Sequence, residues 1–465
     1  MLRAEHPCFT AMLEEWEELA DLIAGPSAVK AKSAVYLKPT TGMQIDGMLP
    51  GQIGFKNYEA YKDRGTVPHI FETAVKRILG VLHRYPASVT LPKSMESLFT
   101  DATGDHTTIY EFIRAINEEQ LKFGRASLLG DIAIDPVTKK IRPIVKIYKN
   151  TAVPIWSCDD DNKINYVVLN ETAHQLDENY KYSEVKQYRV IRLLPDEDGN
   201  FRYVTATTND ESANVDALSY IAPNAQGKTL PLMPFSFVNA GDTHCDISAP
   251  PLSALKSSCL TIYKLTCDYH LNLHSMANET LVISGRKFGQ EDEDVRTGYG
   301  AKIELQEGGS ASFIGASSLG LQETRVAIEN EYEKAHQLAT MQSPQSKSNR
   351  DSSTAISLRE ESMLASYSQM AIAGAQALEN VLRQLAPLFN VANPEKEIEV
   401  RANLQFTNSV LGSSEILDLT TSKQNGLKIS DASMHKLLQK KGIVETTFDE
   451  EQILLSQEEQ LLFDE

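Results

Sequence analysis

A chain of 465 residues, 42% hydrophobic and 23% charged, can bury a large core and is too long for one ordinary domain, so a disordered or fibrous chain is excluded and two or more subdomains are expected. No apolar run is long enough to cross a bilayer, and the opening MLRAEHPCFTAMLEEW lacks the basic, apolar, small-residue order of a signal peptide, so the chain is expected to stay in the cytoplasm where it is made. A formal net charge of -18 argues against a surface that grips nucleic acid, because phosphate contacts need basic residues to displace counterions.

Leu13, Trp16, Leu19 and Ile23 recur at helical spacing, which predicts an amphipathic helix from Cys8 to Ala24, stopped by Gly25 and Pro26. A loop-rich stretch, SAVYLKPTTGMQIDGMLPGQIG, precedes a helical region from about Lys56 to His83 with a break near Gly65 to Pro68. Another helix is expected from Thr108 to Phe123, leading into GRASLLGDIAIDP. From about Leu128 to Val238 the pattern turns to β: YVVLNE, VKQYRVIRLL and FRYVTATT alternate, and the turn clusters DDDN and PDEDGN separate them, as in antiparallel hairpins.

After SAPP at 248–251, residues Leu252, Leu255, Cys259, Ile262, Tyr269 and Leu273 return to helical spacing, which predicts a long helix to about Ala277 with Ser248 as its N-cap. Residues 279–318 read as a small glycine-bounded α/β insert, with strands at TLVIS and AKIELQ around the charged GRKFGQEDEDVRTGYG. Helix resumes from about Gly320 to Met341, with Ile328, Tyr332, Ala335 and Ala339 on one stripe. The polar linker QSPQSKSNRDSS follows. A third long helix runs from about Ser353 to Leu385, where Met363, Tyr367, Met370, Gly374, Ala377, Val381 and Leu385 keep the period until Pro387. Beyond Val391 come one strand-like piece, EIEVRANLQF, then short helices and an acidic amphipathic end, with no internal repeat.

The motifs that suggest chemistry each have a plainer reading. APNAQGKT, Ala222 to Thr229, satisfies the loose phosphate-loop pattern, yet Thr229 leads into LPLMPFSFV, a strand-like run with two prolines, where a phosphate loop must open a helix. Cys267, His270 and His274 share a helix face at spacings that suit metal ligands, but the same geometry makes a packed seam and no second ligand-rich motif is nearby. Asp159, Asp160 and Asp161, and the run Glu291 to Asp294, lack calcium-loop spacing and read as solvated turns. Five cysteines, Cys8, Cys158, Cys245, Cys259 and Cys267, show no CxxC pair and suit buried or free thiols in a reducing compartment. No nucleophile elbow, HExxH or GxGxxG motif occurs, so neither an enzyme nor a cofactor or metal protein is expected.

Trp16, Asp21, Gly25 and Val29, YLKP at Tyr36 to Pro39, YEAYKDR at Tyr58 to Arg64, ETAVKRILGVLHRYP and GRASLLGDI resemble the N-terminal half of a tailed-bacteriophage portal family. SAPPLSALKSSCLTIYKLTCDYHLNLHSMANETLVISG is similar to the helix-to-strand passage of that family, and GLKISDASMHKLLQKKGIV to its C-terminal region. The resemblance implies an α+β portal fold: a wing of N-terminal helices and antiparallel β structure over 1–251, a stem of two helices at 252–278 and 319–341, and between them a clip at 279–318. It further implies a tunnel loop at 342–353, a long wing helix with a following strand at 354–410, and a helical crown at 411–465.

The same resemblance implies a non-enzymatic, dodecameric ring at one capsid vertex, assembled in the host cytoplasm, through which double-stranded DNA is packaged and ejected. Terminase large subunit and tail adaptor would dock on it, within a shell of major capsid and scaffolding proteins. An acidic channel repels the duplex so that it slides. Lys347, Asn349 and Arg350 are the candidate DNA-channel residues, and Arg286, Lys287, Glu291, Asp292, Glu293 and Asp294 the candidate docking residues. Two other classes stay open: an adaptor or minor head protein, and a nucleotide-driven enzyme using Lys228.

Overall fold

The computed structural model describes residues 4–134, 141–159, 161–176, 180–195, 199–223, 229–277, 280–286, 305–314, 320–340 and 353–405, with 421, 430–440, 446, 448 and 450–453 beyond them. The chain divides into two units, Met1–Asn403 and Leu404–Glu465. The fold is mixed, helices and antiparallel sheets segregated along the chain, as the α+β expectation has it.

Six helices open the first unit: α1 (Pro7–Ala24), α2 (Pro26–Ala31), α3 (Thr41–Ile45), α4 (Ile53–Arg64), α5 (Ile70–Leu82) and α6 (Ile109–Phe123). α1 ends where Gly25 adopts φ 96, a conformation costly for any residue with a Cβ. Its Trp16 is buried and donates its indole N–H to the carbonyl of Phe123 at 3.0 Å, tying α1 to the end of α6. The stretch expected as loop holds α3, whose N-terminus Thr40 caps by accepting from Met43 N–H; five residues are too few to show a period. α6 carries a capping box between Thr108 and Glu111.

At the end of α5, His83 is half-buried, and burial first, then the charge of Arg114, holds its pKa below the usual histidine value. Between the two values the unfolded chain binds the proton more readily, so the stability present above about pH 6.5 is lost as pH falls through the folded value. His6, lowered by burial and by Arg125, acts with the same sign. The melting temperature should therefore fall between pH 7 and pH 5, and less steeply in His83→Gln; parallel profiles for the two proteins would refute the assignment.

Gly124 caps α6 with φ 75, and a Cβ there would lie 2.8 Å from Pro250 Cα, so glycine is required both for the turn and for the close approach. The β region starts directly after it. β1 (Ser88–Thr90) lies earlier and pairs with the late strand β13 (Glu399–Arg401). β2 (Arg125–Ile134), β3 (Ile141–Lys149) and β10 (Phe235–Asn239) form an antiparallel sheet in the order β10-β2-β3. β4 (Ile155–Cys158), β5 (Ile164–Asn170), β8 (Tyr188–Pro195) and β9 (Phe201–Thr208) form a second, in the order β4-β5-β8-β9, and β6 (Ala173–Leu176) with β7 (Tyr182–Val185) a separate hairpin.

An ionic node joins the two sheets: Arg189 on β8 reaches Asp131 on β2 at 2.8 Å and Glu171 at 3.1 Å, and Tyr148 donates to Glu171 at 2.6 Å. Burial works against the guanidinium, but Glu171, Tyr148 and Asp131 outweigh it and raise its pKa above the usual value.

Two expectations fail here. Ser248 is not the N-cap of the next helix, α7 (Ser253–Ala277), because Pro250 and Pro251 hold the chain out of the helix until Ser253, whose N–H donates to the carbonyl of Pro250. The cysteines are not all thiols: Cys158 at the end of β4 and Cys245 in the segment before α7 form a disulfide, with Cα atoms 6.7 Å apart. A pair 87 residues apart leaves no local pattern to read. Cys259 and Cys267 are buried thiols, as expected.

The core of this unit is one apolar cluster in which Phe112 and Ile116 of α6, Leu128 and Val145 of the β10-β2-β3 sheet, and Leu378, Val381 and Leu382 of a later helix meet. In the second unit a helix spans Asp431–Lys440; Ser433 N–H donates to Ser430 Oγ at its start, and His435 meets Phe448 edge-on at 5.5 Å.

Candidate functional site

α7 begins locked against the N-terminal helices. Lys256, buried on its first turns, donates to Glu15 of α1 at 2.6 Å and also to Glu18. Burial opposes the ammonium, and these two carboxylates more than offset it, raising its pKa. Further along, Tyr61 of α4 donates to Asp268 at 2.5 Å, and Thr266 Oγ1 both accepts from Thr66 N–H and donates to the Thr66 carbonyl. Gly65 is placed so that a Cβ would fall 2.1 Å from the sulfur of Cys267, which lets the helix pack flush on the α4–α5 connection.

The buried face of α7 ends at Cys267. Leu273, on the predicted apolar seam, is exposed and Tyr269 is half-buried, because beyond Asp268 the helix runs past the N-terminal helices it packs on. At its far end the chain enters β11 (Thr280–Arg286), paired antiparallel with β12 (Leu305–Ile314), and returns through α8 (Leu321–Leu338). The register Thr280↔Ile314 brings the two ends of this hairpin together, and α8 packs back along α7. Its stripe is graded: Ile328 and Tyr332 are half-buried, while Ala335 and Ala339 toward its C-terminal end are buried.

The second strand is shifted from the expectation. β12 spans Leu305 to Ile314, taking in the last two residues of AKIELQ and most of GGSASFIG, with Ala311 and Phe313 opposite Ile283 and Leu281 in the ladder. The register shifts at a bulge between Ser284 and Arg286, with Gly285 at φ 75, and resumes where Arg286 pairs with Leu305. Residues 301–304 lie outside the described residues. Val282, Ser284, Gly285, Glu307 and Ser310 to Ser312 are exposed on the hairpin.

The chain then enters α9 (Ser353–Leu385), which runs into the core. Tyr367, Met370, Gly374, Ala377, Val381 and Leu385 are all buried, as the spacing predicts; the Met363 side chain lies outside the described residues. A 3-10 turn from Ala386 to Phe389 and a short helix α10 (Pro394–Glu397) bring it to β13. Beside Gly374 sits a buried polar node: Gln120 donates to the carbonyls of Asn239 at 2.6 Å and Met370 at 3.3 Å, and accepts from Asn117 at 2.7 Å. A Cβ on Gly374 would meet Asn117 Nδ2 at 2.8 Å.

Of the residues singled out from sequence, Lys287, Glu291, Asp292, Glu293, Asp294, Lys347, Asn349, Arg350 and Lys228 lie outside the described residues. Arg286 ends β11, its backbone paired with Leu305, and its side chain is likewise undescribed. Cys267 is buried against Gly65, His270 is half-buried beside Tyr269 and His274 is exposed; among the described residues no group of three metal-ligating side chains occurs. Asp159 accepts from the N–H groups of Asp161 and Lys163, a self-satisfied turn; Asp160 lies outside the described residues. A cavity of about 630 Å³ between the second sheet and α9 is lined by Asp159, Lys163, Phe201, Met233, Asn380 and Gln384 among others, with no histidine or cysteine among its described lining residues. No described helix is long and apolar enough to cross a membrane.

The family described as "Domain of unknown function (DUF4055)" matches residues 251–388, the stretch from α7 through α9. No curated protein matches the chain. Among solved structures the chain is similar to a component of the virion of a native gene transfer agent particle, at 13% identity and TM-score 0.40, covering 82% of this chain and 92% of that one. It is also similar to chains in the neck of the empty particle, computed with C6 symmetry (12% identity, TM-score 0.39, 82% and 92% covered) and in the neck of the native particle, computed with C12 symmetry (12%, 0.36, 79% and 89%).

Proposed function

We propose that this chain is a portal subunit of a tailed-phage particle, a non-enzymatic protein that closes into a ring around the DNA channel at one capsid vertex. The observation that carries this reading is the α7–hairpin–α8 projection. An 18-residue helix with one buried side chain, a helix whose apolar seam outruns its own core, and an exposed two-stranded hairpin are together poorly covered by one subunit. Identical neighbours in a closed ring cover such faces without leaving any copy unpartnered.

On this reading α7 and α8 are the stem (252–278 and 319–341), the hairpin belongs to the clip (279–318) that docks the terminase large subunit and then the tail adaptor, and 342–353 is the tunnel loop. Lys347, Asn349 and Arg350 make brief phosphate contacts there, while the ring's negative charge keeps the duplex sliding. The α9 helix (within 354–410) ties the channel wall into the wing, and the crown (411–465) faces the capsid interior. Major capsid and scaffolding proteins hold the ring in the shell. The purified protein should form closed rings with a central channel, most often dodecameric, seen by electron microscopy and native mass spectrometry; a strictly monomeric mass at micromolar concentration overturns the proposal.

A further inference from the structure

The three cysteines outside α7 converge on one corner of the wing. His6 donates its backbone N–H to the carbonyl of Pro154 at 2.9 Å, and its ring stacks on Trp156 of β4 at 3.9 Å and 18°. It also accepts from Cys8 N–H at 3.2 Å, so the first turn of α1 is pinned beside the strand that carries Cys158. Arg125, 2% exposed, lies over the rings of Trp156 at 4.6 Å and Phe237 at 3.7 Å and donates Nη1 to the carbonyl of Cys245 at 2.9 Å. Among the described residues its Nη2 has no partner, and Cys8 lies near enough to act on it electrostatically. Cys8 is exposed, Cys158 half-buried and Cys245 buried.

We infer that Cys8, Cys158 and Cys245 form a thiol–disulfide exchange site in which Cys8 passes oxidising equivalents from a small-molecule disulfide to the Cys158–Cys245 pair. In the reduced protein the Cys8 thiolate attacks one sulfur of a glutathione-type disulfide; a Cys8–glutathione bond forms and one glutathione thiolate leaves and takes up a proton. The Cys245 thiolate attacks the Cys8 sulfur and displaces the second glutathione thiolate, forming Cys8–Cys245. The Cys158 thiolate then attacks the Cys245 sulfur, and Cys8 departs as a thiolate that is reprotonated. Two protein thiols become one disulfide, one small disulfide becomes two thiols, and Cys8 is regenerated.

Each step passes through a thiolate in the corner that Arg125 holds positive. Cys259 and Cys267 stand apart from this chemistry, buried in α7 with thiols pushed up to about 12 by burial. The closed pair ties the edge strand β4 to the segment that leads into α7, where Asn239 gathers Asp242 and the carbonyls of His244 and Asp246.

The test treats the fully reduced full-length protein with oxidised glutathione, quenches with acid at intervals, and follows the Cys158–Cys245 peptide by mass spectrometry. Cys8→Ser, an exposed change, should slow its formation about tenfold, since relay replaces direct attack on less accessible sulfurs. In Cys158→Ser the relay should stop one step early and accumulate a Cys8–Cys245 peptide. An unchanged rate in Cys8→Ser, or a Cys158→Ser protein that holds glutathione on Cys8 without ever forming the cross-link, overturns the inference.

Discussion

Replacing Gln120 with leucine is expected to lower the stability of the Met1–Asn403 unit by about 2–6 kcal/mol, because the Asn239 carbonyl and the Asn117 amide lose their partner and each orphan costs about 1–3 kcal/mol, while the Met370 carbonyl keeps its bond inside α9. The side chain is fully buried, and its amide is the one described link between the carbonyl that ends β10 and the carbonyl of Met370 inside α9. Leucine has nearly the same volume, so little of the loss would come from a cavity. Asn117 is left with an amide that has lost its acceptor, Gln120 Oε1. The double variant Asn117→Leu/Gln120→Leu should therefore recover part of the loss, and the two changes should be non-additive. Urea unfolding followed by tryptophan fluorescence measures both; a loss under about 1 kcal/mol for the single change would mean that the orphaned carbonyl and amide find other partners.

That node shows where sequence reading stops. Gln120 sits in a helix rich in Glu and Lys, and by composition it belongs to the solvated face. Only the approach of α9, made possible by Gly374, turns that position inward. Helices that bury a stripe in their own subunit were legible, because the 3.6-residue period is a direct record of one-sided burial; α1, α6, α7 and α9 lie within a few residues of where the spacing puts them. FRYVTATT is a strand over its full length, since alternation and a turn cluster bound it. The second hairpin strand was placed too early because both AKIELQ and GGSASFI suit a strand, and the register that sets Phe313 and Ala311 opposite Leu281 and Ile283 is fixed by the hairpin and not by local pattern.

The disulfide was invisible for a different reason. Pairing is decided by the fold that brings the end of β4 against the segment before α7, and neither cysteine carries that in its neighbours. Arg125 is a similar case: that the arginine lies over two rings depends on Trp156 and Phe237 arriving from other strands. The exposed end of α7 was foreshadowed by a seam that continued to Leu273, farther than one subunit's core covers.

Replacing residues 280–314 with a short Gly/Ser linker should leave folding and ring formation intact and abolish DNA packaging. The cut is possible because Thr280 and Ile314 are directly opposite in the ladder, where partner Cα atoms are about 5 Å apart, so a few residues can rejoin the chain without pulling α7 from α8. Little stability should be lost: the strands pair with each other, Val282 and Ser310 to Ser312 are exposed, and among the described residues the apolar core of the first unit includes none of them. Function is another matter if this segment is the clip. Its charged stretch, including Arg286, Lys287 and Glu291 to Asp294, would be the surface offered to the packaging motor, and contacts of that kind weaken with salt over a Debye length of about 8 Å at physiological strength. The measurements separate the two claims. Rings by native mass spectrometry with no packaged DNA would support the docking role, and wild-type packaging by the shortened protein would refute it. Loss of the ring itself, with an unchanged melting temperature, would instead mean that the hairpins hold neighbouring subunits together, each edge strand finding its partner on the next copy.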